Sequence, residues 1–154
     1  METRRTTWVL LVFITISTPL ALAVETYLRG IMFPPEFEEV RMYLRPSLEL
    51  PVWSLLSLVA LTTYVGIRRM KGRIERRMAK RPDSEQTQHY RDKDTLDSIV
   101  IFTSLPQVPA IMATFGFMFG APLTPVLVNM AVATLGVLMV GLYGMRVGAQ
   151  SRDA

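Results

Sequence analysis

Thr103-Ser104-Leu105-Pro106-Gln107-Val108-Pro109 brings two hydroxyls, an amide and two prolines together in an otherwise apolar stretch. Each proline lacks an N–H, so each releases a backbone carbonyl and bends a helix. Released carbonyls beside Thr103, Ser104 and Gln107 are the donor set with which a broken membrane helix coordinates a cation or polar solute. The same residues equally suit a kinked packing helix whose hydroxyls satisfy its own carbonyls. Ser17-Thr18-Pro19 is a fainter echo of this pattern near the start of the chain. Asn129 is a second amide in apolar surroundings, suited to bonding Gln107 or a neighbouring subunit.

Three sets of charged residues could also do chemistry. Glu25 and Arg29 stand at i and i+4, with the acid nearer the N-terminus, the better order for a helical ion pair. An ionisable pair within a span can be a gate or proton site, but at this distance from Trp8 it falls near the outer boundary, where an interfacial pair is expected. Asp92, Asp94 and Asp97 could hold Mg²⁺. Their simpler role is at a helix start, with Asp94 as cap and Asp97 in the first turn. Arg68, Arg69, Lys71, Arg73, Arg76, Arg77, Lys80 and Arg81 surround Ile67, Met70, Ile74 and Met78, which share one helical face. That is a basic amphipathic helix suited to anionic lipid headgroups, or a plain topological anchor. Without interleaved aromatics it is not expected to bind nucleic acid.

The chain lacks the usual catalytic sets. It has no cysteine and a single histidine, His89, placed in the most polar segment. Thiolate metal sites, disulfides and bis-histidine haem ligation within one chain are therefore excluded. A P-loop, an H-E-x-x-H zinc motif and a nucleophile elbow are all absent. No cofactor is expected, and an enzyme is the least favoured class.

The elements that must carry these residues are membrane spans. The 154 residues are 50% hydrophobic, and from Ser98 to Met145 there is no Lys, Arg, Asp, Glu or His. A single helix of that length would be about 70 Å long against a bilayer core of about 30 Å, so the run must fold back. Gly120-Ala121-Pro122-Leu123-Thr124-Pro125 supplies the turn. The expected fold is all-α: an integral membrane bundle of four spans forming one domain, near residues 8–33, 50–67, 95–120 and 125–145. A short outer interfacial helix is expected between Pro35 and Pro46, with Phe37, Val40 and Leu44 on its apolar face. A cytoplasmic basic helix extends the second span into a loop over 68–94. Ala113, Gly116 and Gly120 include one G-x-x-x-G spacing and Gly144 with Gly148 makes another, arguing close helix contact. The start also resembles a signal peptide, with Arg4 and Arg5 before a long apolar run and Ala21-Leu22-Ala23 as a cleavage pattern. A retained first helix is the preferred expectation.

Charge sets the expected orientation. Of 17 Lys and Arg, all but Arg29, Arg41 and Arg45 fall at the termini or in the central loop. With four spans these share one side, which the positive-inside bias makes cytoplasmic. Two function classes follow. The first is a structural, accessory or assembly subunit of a membrane complex. The second is a small channel or transporter, built as a homo-oligomer around the proline-broken third span.

Overall fold

The computed structural model describes residues 2–79 and 88–150, all in helices or the short turns between them. The helices are α1 (Glu2–Met32), α2 (Phe37–Ala79), α3 (Gln88–Ser104), α4 (Gln107–Met118) and α5 (Leu123–Gln150). Four stretches are long and apolar enough to cross a membrane: Arg5–Met32, Phe37–Arg77, Lys93–Met118 and Leu123–Val147. The third is α3 and α4 together, interrupted at Leu105-Pro106. The two prolines thus produce a real break, near the middle of the span.

The α3–α4 and α5 arms form the centre of the bundle. The most apolar window of the third span is 50% buried and that of α1 only 17%. Both α1 and α2 pack on the central hairpin and scarcely touch each other. Core side chains fall in three clusters along the bundle. Met70, Ile74, Ile99, Phe102, Val140 and Val147 pack at the basic end, Val59, Ala110 and Ala133 in the middle, and Val52, Ala113, Ala121 and Val126 toward the opposite end.

Several boundaries differ from those expected. The outer helix is not separate, because α2 runs unbroken through Pro46 and Pro51 from Phe37 into the basic segment. Both prolines are exposed, and the carbonyls they release, on Met42 and Ser47, belong to exposed residues as well. Neither proline therefore strands a buried polar group, and the helix continues. α1 likewise passes through Pro19 without a break. α3 begins at Gln88, ahead of the expected start, so Asp94 lies inside the helix and does not cap it. α5 extends past Arg146 to Gln150.

The α4–α5 turn falls where the glycine and prolines place it. Ala121 N–H donates to the Gly116 carbonyl (3.0 Å) and Gly120 N–H to that of Phe117 (3.1 Å). This is a Schellman ending, with Gly120 in the positive-φ position at 115°. Gly120 is thus a turn residue and not part of a helix-packing G-x-x-x-G. A Cβ there would also stand 2.4 Å from the Arg41 carbonyl. Gly116 is the packing member, set against Val52 of α2.

Candidate functional site

The break in the third span creates the polar centre of the bundle. Pro106 removes the donor that would reach the Phe102 carbonyl. That carbonyl instead faces Gly66 of α2, where a Cβ would lie 3.3 Å from it. Pro109 releases the Leu105 carbonyl, which accepts from Val108 N–H at 3.3 Å. The two hydroxyls turn inward on their own helix. Thr103 Oγ1 donates to the Ile99 carbonyl (2.6 Å) and Ser104 Oγ to that of Val100 (2.7 Å). Pro106 and Pro109 are both fully buried. Gly136 of α5 closes over the break, with Thr63 of α2 and Pro106 nearest its missing Cβ.

Gln107 is buried at the first turn of α4, and its Oε1 accepts a hydrogen bond from Thr18 Oγ1 of α1. The two proline-bearing segments singled out in the sequence therefore meet through one bond. Gln107 Nε2 is buried without a hydrogen-bond partner among the described residues. Asn129 does not bond Gln107. Its Nδ2 donates to the carbonyls of Val52 on α2 and Pro125 on α5, both at 2.9 Å, while its Oδ1 has no partner among the described residues.

The expected Glu25–Arg29 ion pair is not formed. Among the described residues both carboxylate oxygens of Glu25 are buried without a hydrogen-bond partner. The Arg29 guanidinium lies over the Phe117 ring of α4, 5.2 Å from its centroid. The Arg29 cation therefore has an aromatic face on the neighbouring helix as its close contact.

Arg41 approaches the same ring at 5.6 Å, so two guanidinium groups meet Phe117. Arg41 also carries the closure of this end. Its Nε donates to the Met118 carbonyl (3.1 Å) and its Nη2 to that of Phe117 (3.0 Å). Nη1 pairs with Glu38 at 2.7 Å. A buried arginine on α2 thereby caps the C-terminus of α4, where carbonyls lack helical donors and the dipole favours a cation. In the sequence Arg41 stands out only as one of three bases outside the termini and the central loop. The local signal was an arginine one helical turn beyond Glu38, and only the tertiary structure places it beside the α4 ending.

At the opposite end the basic residues divide by partner. Arg68 donates to the Tyr64 hydroxyl (2.8 Å) and Lys71 pairs with Glu75 (3.8 Å). Arg77 reaches Asp94 (3.5 Å) and Asp97 (3.2 Å) on α3. These acids therefore serve an interhelix ion cluster; the Asp92 side chain, Lys80 and Arg81 lie outside the described residues. Arg69, Arg73 and Arg76, with Gly72, Arg77 and Phe102, line a cleft of about 710 Å³. Met70 and Ile74, which share one helical face, turn it to the core of the bundle.

No protein-family model, curated protein or solved structure matches this chain. Any functional assignment therefore rests on the residues themselves.

Proposed function

We propose that this chain is a structural or assembly subunit of a membrane complex, not an enzyme. The observation that carries this is the use made of the polar groups at the broken third span. Thr18, Thr103, Ser104 and the Leu105 carbonyl are all engaged in bonds within or between helices. The amide of Gln107 holds α1 against α4, and Asn129 holds α5 against α2. Glycines at the break bring backbones close, which suits a packed joint. Meanwhile α1 offers Val9, Val12, Phe13, Ile16, Leu20 and Val24 to its surroundings. In this reading the chain lies in the bilayer with both termini and the central loop cytoplasmic, as the base distribution requires.

Gentle solubilisation from native membranes, followed by identification of co-purifying chains, tests the proposal. Stoichiometric recovery of a different membrane protein is expected. Recovery of this chain alone, as a monomer or homo-oligomer, would overturn the accessory role. The transport alternative has one specific support, the unpartnered buried Nε2 of Gln107. It requires solute or ion flux in reconstituted liposomes, abolished by Gln107→Leu, and no flux from the wild type would remove it.

A further inference from the structure

We infer that the cleft at the basic end is a specific site for a phospholipid headgroup carrying two phosphates. Arg69, Arg73 and Arg76 recur at i, i+4 and i+7 on α2, so they form a row along one helix face. Gly72 lies within that row, and nothing stands within 4 Å of the position a Cβ would take. The glycine therefore keeps the cleft open between the arginines. Arg77 closes one side and is already neutralised by Asp94 and Asp97. Arg69, Arg73 and Arg76 have no carboxylate within ion-pair distance among the described residues, so the cleft carries uncompensated positive charge. Arg73 is the most constrained of them. Its guanidinium lies over the Phe102 ring at 5.8 Å, and its Nε is buried with no hydrogen-bond partner among the described residues. With Nε enclosed and the guanidinium held against Phe102, the Nη donors are the ones left to meet an acceptor oxygen entering the cleft.

The geometry also selects the ligand. Arg69 and Arg76 stand two turns apart, about 10 Å along the helix, so the row is long enough to offer separate guanidinium groups to two phosphates at once. Two linked phosphates can engage both ends of the row. Phe102 gives the cleft an apolar wall, and Arg69 follows closely on the apolar stretch that ends at Ile67. A lipid placed at the membrane boundary meets both conditions, with headgroup phosphates on the arginines and its apolar part toward Phe102. This inference rests on the membrane reading above, but not on the accessory role.

The test uses the full chain in phosphatidylcholine nanodiscs, where successful incorporation checks the membrane reading separately. Cardiolipin, phosphatidylglycerol at equal charge, or soluble inorganic pyrophosphate is then supplied. Native mass spectrometry of the released protein counts retained molecules. Cardiolipin should be retained in preference to both others. Arg73→Gln should lower retention about five-fold, the factor that one base near an anionic surface supplies. Gly72→Leu leaves every charge in place and fills the cleft, so it should lower retention at least as much. Arg68→Gln and Lys71→Gln, outside the cleft, should have little effect. Equal retention of cardiolipin and phosphatidylglycerol would overturn the two-phosphate site. So would full retention by Gly72→Leu, or equal losses from the changes inside and outside the cleft. Preference for pyrophosphate over either lipid would assign the site to a soluble anion and overturn the lipid.

Discussion

The bond between Thr18 and Gln107 joins α1 to the broken span. Its contribution has a natural ceiling. Interhelical hydrogen bonds inside membranes stabilise by about 1 kcal/mol on average, because the separated helices find other partners. Thr18→Val and Gln107→Leu should therefore each cost about 1 kcal/mol in denaturant unfolding of the purified protein. Since each change removes the same bond, the double variant should cost little more than either alone. Fully additive losses would show that the two side chains act independently. Arg41 stands differently, because its guanidinium satisfies two helix-terminal carbonyls that no other described side chain reaches. Its planar fork supplies both donors at once, and lysine offers no equivalent geometry.

Among elements, the broken third span depends on small residues supplied by its neighbours. Gly66 faces the Phe102 carbonyl, Gly136 meets Thr63 and Pro106, and Gly144 meets Ile99 and Met70. At Gly136 a Cβ would stand 2.4 Å from Thr63 Oγ1 and 3.2 Å from Pro106 Cβ. Gly136→Leu should accordingly wedge α5 away from the break and reduce folded yield severely. Gly30→Leu, with nothing within 4 Å of its Cβ position, is the matched control and should leave yield unchanged. Comparable yields from the two variants, measured by size-exclusion profile after solubilisation, would show that the break tolerates separation. The hairpin itself was readable from the uncharged run and from Gly120 with Pro122, since those features act locally. The break at Leu105-Pro106 was readable for the same reason. Continuity of α2 through Pro46 and Pro51 was not, because proline tolerance depends on which face the released carbonyls occupy. That face is set by the tertiary arrangement. The same limit hid Arg41, whose acceptors lie on α4, and the diversion of Arg29 to Phe117. Local spacing proposes a partner on the same helix, and packing supplies a better one from another.

At the scale of the whole molecule, charge and apolar surface make separate predictions. The concentration of bases at one end calls for both termini and Gln88 to be cytoplasmic and Ser47 to be on the opposite side. Reporter fusions at those positions check this, and a cytoplasmic signal at Ser47 would exclude a four-span topology. The apolar surface addresses what the bundle is for. α1 buries the smallest share of its span, 17%, and Phe13, in the N-terminal third of that span, is 72% exposed. Lipid alone would cover such a face without preference, since lipid tails are as apolar as the side chains they meet. A partner helix would cover it at fixed register. A photo-crosslinking amino acid at Phe13, activated in native membranes, separates these cases. The accessory role calls for one discrete protein adduct from Phe13, lost when the crosslinker is moved to the exposed Leu135 of α5. Adducts formed only with lipid at both positions would leave α1 with no partner, and the proposed assembly role would fail. An adduct to a second copy of this chain would instead favour the homo-oligomeric channel and make the flux assay decisive.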